Sequence, residues 1–287
     1  PPGPPVLSTL VAEIYGPDAE TRRQVQRLLD DRLEERYPNV FCRVDVVDDI
    51  YRGAVSVAQS YGVGSFEANT VMLGWLSKRQ HAQAYVHMLR DLVALDRSLL
   101  LVAYDKDRKL GDRHDIHIWW GGLQSNGGLM LLLAFLLTAH HTWRNARVSV
   151  MTIVSGDDER RTAERNIAKV LASARVEASA RVLSREGRSI PEIIHGESGK
   201  ADLAILGLAL PEPQEAAVEA FFERMDGLLA GLPTTVLVHS ARHFEGEPVL
   251  FDQLPGAAQE DDEDEEVAVE DEEAPTGPMP VADKTER

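Results

Sequence analysis

The chain has one cysteine, Cys42, in 287 residues. A lone thiol excludes an internal disulfide and a cysteine-rich zinc site, and it fits a reducing compartment. Cys42 stands in an apolar-alternating run, where it is expected to pack as a small buried hydrophobe. Long hydrophobic runs are missing as well. The most apolar stretch, Leu129 to Leu137, covers nine residues, against the ~20 that a membrane-crossing helix needs, so no direct membrane insertion is expected. No segment concentrates Lys and Arg without equal numbers of Asp and Glu, which removes the phosphate-neutralising face that nucleic-acid binding requires. There is no G-x-S-x-G elbow for a serine nucleophile, no G-x-G-x-x-G and no phosphate loop ending in Gly-Lys-Ser/Thr. With no convergent acid, base and nucleophile, the chain does not read as an enzyme. It opens Pro1-Pro2-Gly3-Pro4-Pro5 without a basic, apolar leader, so no secretory peptide is expected and it reads as a piece of something longer.

What is present is acid, and it is unevenly placed. The formal net charge is -17, but residues 255 to 287 hold 13 acidic and 2 basic residues, so they supply -11 of it and leave -6 on the rest. Glu260 to Glu266 and Glu270 to Glu273 are unbroken acidic runs with almost nothing apolar to bury. A disordered acidic tail over 251–287 is expected from that composition.

Elsewhere, short β-rich runs alternate with longer stretches whose apolar residues recur at helical spacing, the pattern of a parallel sheet with crossover helices. Strands are expected over Phe41 to Val47, Asn69 to Leu73, Leu99 to Tyr104, Ile116 to Trp120, Val148 to Val154, Val176 to Leu183, Leu203 to Leu206 and Thr235 to Val238. Asp18 to Arg36 places Val25, Leu28, Leu29 and Leu33 on one helical face, and Asp157 to Ala174 does the same with Ile167, Val170, Leu171 and Ala174.

The second half restates the first at an offset of roughly 133 to 140 positions. Tyr15-Gly-Pro-Asp18 matches Ser155-Gly-Asp-Asp158, and Val40 to Val47 matches Val176 to Leu183. Asn69 to Gly74 then matches Asp202 to Gly207, and Leu99 to Val102 matches Thr235 to Val238. The expected architecture is two pseudo-symmetric α/β halves, 1–112 and 113–250, joined by the charged stretch Asp105 to His114.

Parallel sheets bind ligands at the carboxyl ends of their strands, where helix N-termini offer free N–H groups to anions. The turns at Tyr15 to Glu20 and Ser155 to Glu159 carry their own carboxylates, which suit the positive helix end and repel a phosphate. Trp120 to Leu129, with its paired glycines and no charge, is the most permissive anion site; its candidates are Ser125, Asn126, Gly127 and Gly128. Gly74 with Lys78 and Arg79 is a weaker one, although paired glycines and nearby cations are equally explained by close packing and solvation. His114 and His117 straddle the start of a strand and so point to opposite faces, and His140 with His141 closes a helix, where imidazolium favours the negative end. No metal site is expected from them. Trp119 and Trp120 face opposite sides of a strand, as core residues.

Glu67 to Trp75 (EANTVMLGW), Asp115 to Trp120 (DIHIWW), Asn126 to Leu137 (NGGLMLLLAFLL) and Trp143 to Val150 (WRNARVSV), in that order, resemble the cytoplasmic C-terminal domain of the cation-chloride cotransporter family. The resemblance runs from about Asp18 to Phe251, through Ala201 to Gly207 and Thr234 to Val238. It implies two halves similar to universal stress proteins, doubly wound, on the cytoplasmic face of a membrane. It also implies attachment to a transporter that moves chloride with potassium or sodium, a regulatory role, and a homodimer. Ser125-Asn126 stands where the family usually has an Asp or His-Asp before the glycines, and the long phosphorylated insertion of eukaryotic members is missing. The alternative is a free-standing nucleotide-binding protein of the universal stress type. That reading expects a G-x2-G-x9-G-S/T motif, which begins at neither Gly74 nor Gly207; with carboxylates at the helix starts, at most weak ATP binding is expected.

Overall fold

The computed structural model describes residues 19–33, 46–60, 62–63, 66–67, 69–76, 78–121, 126–173 and 177–241. Cys42, the turn at 15–18, Ser125, most of the expected strand at 41–47 and the acidic tail lie outside them. Within them the chain runs α1 (Ala19–Leu33), α2 (Ile50–Ser60), β1 (Gly62–Val63), β2 (Phe66–Glu67), β3 (Thr70–Gly74), a 3-10 turn (Arg79–His81), α3 (Ala82–Ala94) and β4 (Ser98–Ala103). It continues as β5 (Asp115–Trp119), α4 (Gly127–Ala139), β6 (Arg147–Val154), α5 (Asp157–Ser173), β7 (Ala178–Ser184), α6 (Ile190–Ser198), β8 (Leu203–Gly207), α7 (Glu215–Leu229) and β9 (Thr235–His239).

Seven strands form one sheet in the order β3-β4-β9-β8-β5-β6-β7. Every pairing is parallel except β4 with β9. In that antiparallel pair Leu101 stands opposite Leu237, and Leu99 opposite His239. Period-two alternation sends successive residues to opposite faces. Leu99 and Leu101 therefore enter one core with Leu237, Trp119 and Met151, while Leu100 enters the other with Ile116, Ile118 and Val238.

Helices cover both faces. On one side α3, α6 and α7 contribute Leu89, Ile193, Ile194, Phe221 and Phe222. The phenyl rings are almost wholly buried, and each contributes about 1.5–3 kcal/mol of transfer free energy. On the other side lie α4, with Leu129, Met130, Leu131 and Ala134, and α5, with Ile167. Local chemistry starts α6 sharply. Ser189 accepts a hydrogen bond from the Glu192 N–H, and the Glu192 carboxylate accepts one from the Ser189 N–H at 2.7 Å, a reciprocal box with Pro191 in the first turn.

The segment from Asp105 to His114 is held down rather than loose. The Arg108 guanidinium donates to the Asp105 carboxylate at 2.6 Å and to the Gly199 carbonyl at 2.6 Å. The Asp202 carboxylate, just before β8, accepts the N–H groups of Asp112 (2.9 Å), His114 (2.6 Å) and Asp115 (3.0 Å). Lys109, Gly111 and Arg113 all have positive φ (57°, 50° and 62°), which turns successive N–H groups inward around one anion.

Candidate functional site

The glycine-rich turn after β5 leads into α4, and Asn126 and Gly127 in it are committed to packing. Asn126 is 2% exposed. Its carboxamide oxygen accepts the Ser240 N–H at 2.8 Å, and its nitrogen donates to the Leu208 carbonyl at 3.4 Å. One side chain thus ties the start of α4 to the ends of β8 and β9, in the crevice where the sheet order changes direction. A Cβ on Gly127 would lie 2.3 Å from the Trp120 ring, and one on Gly207 would lie 3.2 Å from the Asn126 amide nitrogen. Both glycines are there for close approach. Gly128 has open space around it.

The second candidate group sits at the end of β3. The Gly74 carbonyl accepts the Tyr85 hydroxyl at 2.9 Å, and burial pushes that phenol well above its ordinary pKa. Arg79 is engaged by the protein itself. Its guanidinium pairs with the Asp226 carboxylate on α7, donates to the Leu76 carbonyl at 2.8 Å and lies 4.4 Å from the centre of the Phe222 ring. Trp75 donates to the same carboxylate at 3.5 Å. Lys78 is exposed.

Strand direction separates the two groups. β3 is parallel to β4, β4 is antiparallel to β9, and β9, β8 and β5 are parallel. The carboxyl end of β3 and the turn after β5 therefore lie at opposite ends of the strands, so Gly74, Lys78 and Arg79 do not meet Asn126, Gly127 and Gly128. At the start of α5, the Ser155 N–H donates to the Glu159 carboxylate at 2.7 Å. An internal anion sits at that helix end, supplied by Glu159.

Two groups stand out that residue types alone did not reveal. Asp202 holds the 105–114 segment; burial raises its carboxyl pKa, but three N–H donors outweigh burial and hold it below the usual range. His117, on β5, bonds the Ser198 hydroxyl at 3.0 Å, and Trp119 donates to the same oxygen at 2.9 Å. Burial pushes the His117 imidazole below its ordinary value, against the pull of Asp115. The match of Asn69 to Asp202 in the internal repeat was the one signal that marked Asp202. Among the described residues no group of three or more His, Cys, Asp or Glu could hold a metal ion, and no helix is long and apolar enough to cross a membrane.

Residues 102–186 match the family model of solute carrier family 12. The crystal structure of the cytoplasmic domain of a prokaryotic cation chloride cotransporter is similar over 84% of this chain and 87% of that one, at a TM-score of 0.62 and 18% identity. A putative universal stress protein from Pseudomonas aeruginosa UCBPP-PA14 is similar over 83% and 84%, at a TM-score of 0.52 and 10% identity. The fold is thus an α/β fold similar to both kinds of protein; the resemblance read from the sequence is matched by the family model over 102–186 and, in fold, by the solved cytoplasmic domain.

Proposed function

We propose that this chain is the cytosolic regulatory and dimerisation domain of a membrane cation-chloride cotransporter, with chloride carried alongside potassium or sodium by the attached membrane part. One observation carries the reading. The stretch matched by the solute carrier model, 102–186, runs from the end of β4 through the clamped 105–114 segment to β7, in a chain of which 84% is similar in fold to the cytoplasmic domain of such a cotransporter. We assign it no catalytic step.

The finer architecture we propose is two doubly wound halves, 1–112 and 113–250, followed by the acidic tail, 251–287. Hydrogen bonding supports it. Leu101 and Leu237, opposed in the β4–β9 pair, are 136 positions apart, the spacing that relates Leu99 to Thr235 in the repeat. Leu73 pairs with Leu101 as Leu206 pairs with Leu237. The Trp75 N–H donates to the Val102 carbonyl at 2.9 Å, as the Leu208 N–H does to Val238 at 2.7 Å. These are the correspondences expected of two halves related by a twofold axis through the β4–β9 pair, and they support that reading.

For the homodimer, α4 offers support: its 13 residues carry no charge, and Leu136 is exposed. A helix apolar on all sides is buried on all sides in a stable assembly. Ion uptake tests the main reading. In the full transporter, removal of this domain should change chloride-dependent rubidium uptake while leaving the protein in the membrane; unchanged uptake refutes a regulatory role. Sedimentation of residues 1–254 at micromolar concentration tests the dimer, which a strict monomer in both the isolated domain and the full protein would refute. The stress-protein alternative rests on the fold likeness and requires nucleotide binding. Submicromolar ATP affinity surviving Lys78→Ala would favour it.

A further inference from the structure

Between α5 and the sheet lies a cavity of about 890 Å³, within the ~300–1,000 Å³ range of small-molecule sites. It opens beside the carboxyl ends of β5 and β6, where parallel sheets place ligands. Val150, Val154 and Ile167 form its buried floor, and Trp120 and Leu171 its half-buried walls. Among the described residues, the charged ones lining it are both acidic, namely Asp158 and Glu159 on the first turn of α5.

The polar groups divide into used and unused. Glu159 accepts the Ser155 N–H, and the Thr162 hydroxyl donates to the Asp158 carbonyl at 3.1 Å. The Asp158 carboxylate, the Thr152 hydroxyl and the Asn166 carboxamide make no hydrogen bond or ion pair among the described residues. Among the described residues, then, one exposed, unpaired carboxylate and two neutral hydrogen-bonding groups line a cavity with an apolar floor and an indole in its wall, and indole rings attract cations. Phosphates and carboxylates meet like charge there.

We propose that this cavity binds an amphiphilic amine, an ammonium group on an aromatic or branched apolar body, with the ammonium at Asp158 and the body between Trp120 and the Val150–Val154 floor. On the regulatory reading above, such a molecule is a cytosolic effector of the domain. The binding itself does not depend on that reading, and the following assay involves no transport, so the two fail separately.

Two probes of matched size separate the chemistry: 2-(1-naphthyl)ethylamine and 1-naphthaleneacetate, titrated into the whole chain by fluorescence at pH 7. The amine should bind saturably, one per chain, at least roughly tenfold more tightly than the carboxylate, as one nearby carboxylate dictates. Asp158→Asn should reduce that preference to about twofold or less. Ala163→Trp and Thr152→Phe each place a ring in the cavity and should weaken amine binding at least tenfold. Thr152→Phe carries this arm if Ala163→Trp does not fold. Equal affinity for both probes overturns the proposal, as does unchanged amine binding in a folded cavity-filling variant, or absence of saturable binding to 1 mM.

Discussion

Replacing Asp202 with alanine removes the anion around which the 105–114 segment is wound. Three N–H groups, from Asp112, His114 and Asp115, lose their shared acceptor. Hydrogen bonds to a charged group contribute about 1.5–3 kcal/mol each when buried. Here the site is only half-buried and water can replace part of the loss, so the total should be about 2–4 kcal/mol. For a chain of this size that lowers Tm by roughly 4–16 °C, at 2–4 °C per kcal/mol. Asp202→Asn keeps one acceptor but turns an NH2 toward the remaining donors, so it should fall between the parent and Asp202→Ala. The pH dependence follows from the depressed folded pKa. The contribution is present above the unfolded carboxyl pKa of about 4 and is lost as pH falls through the folded value. Urea denaturation at pH 7 and pH 3 should therefore show the parent's advantage over Asp202→Ala at pH 7 and much less of it at pH 3. Gly111 supplies a second arm, because a Cβ there would lie 1.9 Å from the Asp202 carboxylate at φ +50°. Gly111→Ala should cost several kcal/mol alone, but only the backbone strain of about 1–3 kcal/mol in the Asp202→Ala background. A difference under ~0.5 kcal/mol at pH 7 for Asp202→Ala, or one unchanged at pH 3, would falsify the clamp.

His117 is held neutral by burial. It should stabilise the fold fully above the unfolded imidazole pKa of about 6.5 and progressively less as pH falls through its lower folded value; His117→Gln should flatten that slope in denaturation between pH 8 and pH 5. Asp226→Ala should cost no more than about 1 kcal/mol, since the Arg79–Asp226 pair is over a third exposed on both sides. It should also raise sulfate affinity near Arg79, detectable by chemical-shift titration; no gain would mean that Asp226 is not what occupies the guanidinium. Gly127→Ala drives a methyl group into the Trp120 ring and should cost about 1–3 kcal/mol, read as a lowered Tm with shifted Trp120 fluorescence. An unchanged Tm would show that the ring yields freely.

Seven of the expected strands appear with boundaries displaced by two residues at most, because alternation and β-branched residues act locally and each run is bounded by turn residues. The helices over 18–36 and 157–174 are likewise seen as Ala19–Leu33 and Asp157–Ser173. The reversal between β4 and β9 was not legible, since a period of two is identical in parallel and antiparallel strands. At the glycine-rich turn the sequence showed residue types that suit an anion, but Asn126 spends its carboxamide on Leu208 and Ser240, partners 82 and 114 positions away. Arg79 looked available for the same reason: Asp226 lies 147 positions further on. Local pattern fixes elements, whereas polar pairing across the fold decides which candidate side chains remain free.

The β4–β9 seam also decides how this chain can go wrong. Among the described residues of the sheet, β3 and β4 are connected to the other five strands only through β9, over five residue pairs from Leu99↔His239 to Ala103↔Thr235. Arg79 and Arg90 add contacts to Asp226 and the Pro211 carbonyl. A second molecule could offer the same seam with the same contacts, so a closed monomer and a strand-exchanged dimer would differ chiefly in the path of residues 104–114. The carboxylate of Asp202 and the fork of Arg108 prescribe that path. On that geometry Asp202→Ala is expected to raise the share of swapped oligomers on refolding at high concentration, read by size-exclusion chromatography, and an unchanged share would leave these contacts a role in stability alone.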